Sequence, residues 1–213
     1  EITLNNKSIY QNKNNSYQVK FAKNTEEDNK LVSMQFQGYE INWLMQNNEK
    51  TKETKQINEA KDNINRVKAK IINKKQLTSK ENTTNKKLEE KMQLKNITSG
   101  IKYENILNKV DLEYEVKANS IKESIIINDK TGLQDEFVFK FNIGELKAEL
   151  QENKEVLIYK DNKEEYLFKI EAPYMFDCNY EYSSKIEVKL EQNKENDEYI
   201  LTIIPNKQWL QDK

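Results

Sequence analysis

The second half of the chain, residues 99–213, consists almost wholly of short runs in which apolar and polar residues alternate. A period of two places the apolar side chains on one face of a β-strand. Turn-forming residues separate the runs, as at 128–132, 142–144 and 161–163. Strands of about 5 to 7 residues are expected around positions 103, 112–116, 121–127, 137–141, 156–159, 166–170, 186–190 and 199–204. This pattern predicts an antiparallel β-sandwich or open barrel.

Residues 1–46 also read as strands. Tyr17, Val19 and Phe21 alternate on one face, and the runs 31–36 and 39–44 flank Gln37-Gly38, which predicts a hairpin. Trp43 has the parity of Tyr39 and Ile41 within the second run, so we expect it in the core.

The character of the sequence changes between residues 47 and 97. The stretch 49–95 carries 14 Lys and Arg against 7 Asp and Glu. Apolar residues recur there at spacings of three and four, which predicts one stripe of a helix: Ile57, Ala60, Ile64, Val67 and Ile71. Leu88 and Met92 suggest a second short helix. A stripe this short favours a helix packed on its own β domain over an intermolecular coiled coil.

The predicted architecture is therefore all-β with a helical, Lys/Asn-rich insert. We expect one compact domain, made of N-terminal strands (1–46), the helical and polar insert (47–97) and the main β-sandwich portion (98–213). The first and third parts should share a sheet system.

The composition excludes several kinds of chemistry. The chain has no histidine, which removes the commonest general base and the usual zinc ligand, and its single Cys178 has no partner for a disulfide. No run approaches the roughly 20 apolar residues of a membrane span. We therefore predict no catalytic, cofactor or metal site, and a protein that is not an enzyme.

Acidic residues provide two alternatives that we keep open. Asp111, Glu113 and Glu115 occupy every second position of a strand and share a face that could hold calcium, although a solvated outer face is the simpler interpretation. Paired carboxylates could also cleave a glycosidic bond, but the sequence singles out no pair.

Aromatic residues suggest a binding surface. Tyr39, Trp43, Tyr174, Tyr180, Tyr182 and Trp209 could stack on sugars, and Tyr180 and Tyr182 are the best candidates because they lie in a polar loop after Pro173. The Lys-rich stretch 50–95 could attract anions, but it lacks clustered Arg and interleaved aromatics, so no nucleic-acid partner is expected.

Five motifs resemble the region upstream of the repeats in wall-associated RHS/YD-repeat proteins of Gram-positive bacteria. The resemblance covers about residues 96–213. The matching elements are I-x-Y-x-N-I-L from Ile101, V-D-L-x-Y from Val110, K-E-x-I-I-I from Lys122, A-P-x-M-x-D from Ala172 and P-N-x-x-W-L from Pro205.

The resemblance implies a non-enzymatic structural or binding module of a secreted or cell-wall-associated protein. Its partners would be the rest of a larger RHS/YD-repeat polypeptide, and a cell-wall glycan or another surface protein. Asp111 would fix a turn, and Trp209 would close the end of the core. Family members continue with one more strand, so weak self-association through a sheet edge is expected. The alternatives are a carbohydrate-binding module of a surface protein and, second, a glycan-cleaving enzyme.

Overall fold

The computed structural model describes residues 2–4, 7–13, 15–25, 30–46, 64–75, 97–193 and 198–212. Within these ranges the chain forms strands, one 3-10 turn (Lys130–Gly132) and one short helix, α1 (Lys207–Gln211). The strands are β1 (Ile2–Leu4), β2 (Lys7–Gln11), β3 (Gln18–Ala22), β4 (Val32–Phe36), β5 (Tyr39–Gln46), β6 (Ala69–Lys75), β7 (Ile97–Leu107), β8 (Val110–Val116), β9 (Ile121–Ile127), β10 (Phe137–Asn142), β11 (Lys147–Leu150), β12 (Val156–Tyr159), β13 (Phe168–Ile170), β14 (Met175–Phe176), β15 (Tyr182–Ser183), β16 (Ile186–Asn193) and β17 (Glu198–Pro205).

All sheets are antiparallel. The largest has eight strands in the order β1-β2-β3-β4-β5-β10-β17-β16, and smaller sheets are formed by β6-β7-β8-β9, β11-β12-β13 and β14-β15. Because β5 pairs with β10, strands from the first 46 residues and from the second half lie side by side in one sheet. The boundaries of the domain itself stay a prediction.

One face of the eight-stranded sheet carries the core. Its register aligns Val32, Trp43, Phe141 and Tyr199 in a row across four neighbouring strands. Successive side chains along a strand point to opposite faces of the sheet. Ser33, which follows Val32 on β4, therefore points to the opposite face. Trp43 is buried, as its parity predicts.

The four-stranded and three-stranded sheets pack on this apolar face. Ring centroids of Phe21 and Tyr114 lie 5.4 Å apart and join the eight-stranded to the four-stranded sheet, while Phe36 and Phe168 meet at 6.3 Å and join it to the three-stranded sheet. The predicted all-β, sandwich-type class is confirmed.

The hairpin between β4 and β5 forms where the sequence predicts it. Gln37 and Gly38 both have positive φ, at 49° and 85°. Two central residues with positive φ match the turn whose twist fits a two-residue hairpin. The turn therefore sets the register that places Trp43 in the core.

The predicted helical stripe is wrong in the part that the structure describes. Residues 64–67 form neither helix nor strand, and Ala69–Lys75 form β6, which pairs with β7. Pairing with β7 supplies hydrogen bonds along the whole strand, which outweighs the helical spacing of a few apolar residues. Ile64 and Val67 still pack against the core, whereas Ile71 is exposed. Residues 57–63, Leu88 and Met92 lie outside the described ranges.

The outer face of β8 also departs from expectation. Asp111 and Glu113 share a face as predicted, but both are buried and not solvated. The Asn105 backbone N–H donates to Asp111 Oδ1 at 2.7 Å, and Lys102 Nζ lies 2.9 Å from Asp111 Oδ2. The alternation of residues along β8 could not predict this, because Lys102 is brought to Asp111 and Glu113 by the neighbouring strand β7.

The contact between Asn105 and Asp111 joins two of the sequence motifs, I-x-Y-x-N-I-L and V-D-L-x-Y. Asn105 has a φ of 53° at the irregular register between Tyr103 and Leu107. Burial by itself would raise the pKa of Asp111, but the Asn105 N–H and the Lys102 ammonium hold that pKa below its usual value. Asp111 thus fixes a bend in the chain as an ionised group.

Candidate functional site

The candidate functional site is the β14–β15 hairpin, whose loop is organised by Asp177. The Asp177 carboxylate accepts the backbone N–H groups of Asn179 and Glu181, each at 2.8 Å. The Tyr180 N–H donates to the Asp177 carbonyl at 3.0 Å. These bonds satisfy the loop backbone locally, as Asp side chains commonly do in turns. The Asp177 side chain and carbonyl therefore set the shape of this loop.

Tyr180 occupies an unusual place in this loop. Its φ is 63°, in the left-handed region that bulky residues rarely adopt. Its side chain is 85% exposed, so packing does not explain why an aromatic residue stands there. An observed backbone outlier of this kind is a reason to consider function.

Four exposed aromatic side chains lie on this short segment, and we call them the aromatic hairpin: Tyr174, Phe176, Tyr180 and Tyr182. Phe176 and Tyr182 are cross-strand partners. Met175 pairs with the buried Ser183, and these two side chains lie on the opposite face of the hairpin. Alternation along β14 and β15 thus turns the aromatic rings outward.

The four rings contact one another. Tyr174 and Tyr182 lie 5.6 Å apart between centroids, Tyr174 and Phe176 lie 6.3 Å apart, and Phe176 and Tyr180 lie 6.4 Å apart and are inclined by only 10°. Near-parallel, offset rings at such distances are a favourable arrangement of aromatic pairs. The rings therefore form one continuous patch.

Lys122 connects the aromatic hairpin to the body of the protein. Its Nζ lies 5.9 Å from the ring centroids of both Tyr174 and Phe176. A cation within about 6 Å of a ring face is attracted by the ring quadrupole, with an energy of about 0.5–1 kcal/mol at an exposed site. Because Lys122 belongs to β9, this contact holds the patch beside the four-stranded sheet.

The size of the patch sets it apart from ordinary surface. Tyr174 and Phe176 are 49% and 53% exposed, and Tyr182 is 65% exposed. At roughly 200 Å² for an aromatic side chain, the four rings leave about 500 Å² accessible. Patches of about 300–600 Å² are the largest found on typical monomers and are often functional.

The structure brings together three of the aromatic residues singled out in the sequence. Tyr180 and Tyr182 lie in the patch with Tyr174, whereas Trp43 is in the core and stacks with Phe141. Sequence reasoning missed Phe176 and Lys122. The shared parity of Tyr174 and Phe176 could have indicated the first, but Lys122 is distant in sequence and gives no such signal.

Trp209, the predicted closing aromatic, lies half-buried on α1. Its backbone N–H donates to the Asn206 side chain at 2.8 Å, so Asn206 caps the helix that follows Pro205. That Trp209 closes the end of the core stays a prediction.

A polar cluster of the buried Trp43 and Tyr114 with the half-buried Glu123 joins the two largest sheets. Trp43 Nε1 donates to Glu123 Oε2 at 3.0 Å, and Tyr114 is the cross-strand partner of Glu123. The Tyr114 hydroxyl is buried, and no described residue accepts or donates a well-formed hydrogen bond there. Burial raises the pKa of Glu123, although the neighbouring Tyr114 and Trp43 act against this shift. Burial also raises the pKa of Tyr114.

Two further findings concern the described residues. They contain no group of three or more Cys, Asp or Glu side chains placed to hold a metal ion. No helix among them has the length and apolar character needed to cross a membrane.

Comparison of the chain with protein-family models, with curated proteins and with solved structures finds no match in any of the three. The resemblance to RHS/YD-repeat proteins therefore stays a prediction.

Proposed function

We propose that this chain is a non-enzymatic glycan-binding module of a secreted or cell-wall-associated bacterial protein, with the aromatic hairpin as its ligand surface. The observation that carries the proposal is the patch of four exposed aromatic rings on one hairpin, each of which lies against at least one other ring of the patch. A pyranose ring presents a face of C–H groups, which packs flat on an aromatic ring while the hydroxyl groups stay in water.

The area of the patch favours a small ligand over a protein partner. A stable protein interface buries about 800 Å² on each partner, which exceeds the roughly 500 Å² that the four rings offer. Polar residues border the rings, among them Asn179, Glu181 and Ser184, all exposed. A glycan that covers only the rings matches this extent.

The charge around the patch favours a glycan over single-stranded nucleic acid, which also stacks on aromatic side chains. Nucleic-acid grooves combine such rings with a strongly positive surface. Here Lys122 and Lys185 are accompanied by the carboxylates of Asp177 and Glu181. The balance of charge suits a ligand without a phosphate backbone.

A retention experiment tests this function. We expect the protein to be retained by at least one of insoluble peptidoglycan, chitin or cellulose. We expect Tyr180→Ala and Tyr182→Ala each to weaken retention about tenfold, which corresponds to about 1.4 kcal/mol. Tyr166→Ala is the matched control, because Tyr166 is 49% exposed but lies outside the patch.

Two results would count against the proposal. Wild-type protein that is retained by none of the three polysaccharides would refute glycan binding. Equal losses in the Tyr166, Tyr180 and Tyr182 variants would mean that the aromatic hairpin is not the ligand surface. Inspection of the parent gene tests the wider setting, since tyrosine-dipeptide repeats downstream are expected in an RHS/YD-repeat protein.

A further inference from the structure

β16 is an edge strand of the eight-stranded sheet. It pairs with β17 on one side, and no described strand pairs with it on the other. β11 belongs to a different sheet and packs on the core face of β16, where Ala148 and Leu190 line one small void. β1, at the opposite edge of the eight-stranded sheet, has three residues, whereas β16 has eight and no proline. β16 therefore presents the longer edge of this sheet.

The register with β17 identifies the backbone groups of β16 that point outward. The Asn206 N–H donates to the Lys185 carbonyl at 3.0 Å, so the backbone of Lys185 is directed toward β17. Residue pairs in an antiparallel ladder alternate between those that exchange hydrogen bonds and those that do not. Pro205, which has no N–H, faces Ile186 in a pair of the second kind. Every second residue therefore directs its backbone toward the open edge: Ile186, Val188, Leu190 and Gln192.

The open edge carries unpaired backbone groups. The Ile186 N–H donates to the Ser184 carbonyl at 2.8 Å. The N–H and carbonyl groups of Val188 and Leu190, by contrast, have no hydrogen-bond partner among the described residues. A row of such groups is a template on which another strand can pair.

The charges beside this edge determine which strand fits. Exposed charged side chains of alternating sign occupy every second position on the face opposite the core: Lys185, Glu187, Lys189 and Glu191. Lys189 Nζ lies 3.2 Å from Glu187 Oε1 within the strand. Both side chains are more than half exposed, so this surface pair is readily exchanged for another.

An antiparallel second copy of the chain matches these charges in one register. If Val188 faces Val188 of the second copy, Lys185 lies opposite Glu191, and Glu187 lies opposite Lys189. Opposite charges directly across a ladder attract each other, and like charges repel. A centre at Glu187 or at Lys189 would place like charges opposite each other, and a centre at Leu190 would match only Lys189 with Glu191.

The same register matches the backbone and the apolar side chains. Val188 would exchange two hydrogen bonds with its counterpart, and the Leu190 N–H would donate to the Ile186 carbonyl of the second copy. Ile186 and Leu190 would also face each other on the core side. Val188 and Leu190 are half-buried in the single chain, so pairing would cover apolar surface that one copy leaves open.

We propose that β16 is a self-recognition edge, to which a second copy of this chain adds its own β16 antiparallel in the Val188-centred register. The self-association expected from the sequence thereby acquires a defined strand and register. One pair of strands covers less than the roughly 800 Å² per partner of a stable interface, so the dimer is weak and reversible. It forms independently of the proposed glycan binding.

Sedimentation equilibrium of the whole chain at concentrations up to about 1 mM tests the proposal. We expect a monomer–dimer equilibrium that weakens at least about tenfold in Lys189→Glu and in Glu187→Lys, because either change sets like charges opposite each other at both symmetric positions. Glu152→Lys, which reverses an exposed charge in the β11–β12 turn, is the matched control and should dimerise like the wild type.

Mixing the two variants separates a lost interface from a damaged fold. One Lys189→Glu chain and one Glu187→Lys chain again set glutamate opposite lysine, so an equimolar mixture should associate about as strongly as the wild type, whereas mixing would not repair misfolded chains. Wild-type protein that stays monomeric at about 1 mM would overturn the proposal. Wild-type dimers that neither variant weakens, or a mixture that stays monomeric, would overturn it as well.

Discussion

Replacing Glu123 with Gln should remove a pH dependence of stability that is built into the core. Glu123 accepts a hydrogen bond from Trp43 Nε1 across the two largest sheets, and burial raises its pKa above the ordinary value of 4.5. The folded protein therefore holds this proton more tightly than the unfolded chain does. The free energy of unfolding should fall as pH rises from about 4.5 through the raised pKa, and then level off.

The magnitude follows from the pKa. Each unit by which folding raises the pKa of Glu123 costs about 1.4 kcal/mol of stability at high pH. The Gln carboxamide stays neutral, its oxygen can accept from Trp43, and its N–H can donate to the Tyr114 hydroxyl oxygen, which adds about 1 kcal/mol. We expect Glu123→Gln to match the wild type within about 1 kcal/mol at pH 4 and to exceed it at pH 8.

Urea unfolding between pH 4 and pH 8, followed by tryptophan fluorescence, measures this difference. Other acids contribute equally to both proteins, so their effects cancel when the two curves are subtracted. Glu191→Gln, an exposed acid on β16, controls for the loss of one negative charge. Two results would refute the reasoning: a stability difference that does not change with pH, or a Glu123→Gln protein that is less stable than the wild type at pH 8. The second result would mean that the ionised carboxylate stabilises the folded protein.

Two further substitutions test the β7–β8 pair. Asp111→Ala should lower the free energy of unfolding by about 1–3 kcal/mol, because the Asn105 N–H and the Lys102 ammonium lose their partner; an equal midpoint in urea would contradict this. Gly100→Ala should lower the melting temperature, because the new Cβ would lie 2.7 Å from the Tyr114 carbonyl oxygen, and such overpacking costs about 1–3 kcal/mol. An unchanged or higher melting temperature would show that the strands move apart freely.

Local patterns predict local structure in this chain. Gln37-Gly38 identifies the β4–β5 hairpin because positive φ at both positions suits that turn, and the parity of Trp43 identifies its burial. The helix predicted from Ile64, Val67 and Ile71 is wrong, because a few apolar residues at helical spacing also occur in irregular segments and in strands. Only the pairing of β6 with β7 decides between these structures, and pairing is a property of two segments.

The candidate site could be predicted in part. Tyr180 and Tyr182 stand out because aromatic residues in a polar loop are unusual. The cation of Lys122 and the acceptor of Glu123 could not be found, since each meets its partner only after separate strands have been placed.

The pairing of β5 with β10 has a consequence during synthesis. Gln46 faces Val138 in this ladder, so the edge of β5 has no partner until the ribosome has made the intervening residues. At about 5–20 residues per second this takes on the order of ten seconds. For that time Leu44 and Met45, later among the most enclosed side chains, belong to an open edge on a nascent chain. The order in which the strands are translated thus gives chaperones, or a second nascent copy, a defined interval in which to bind there.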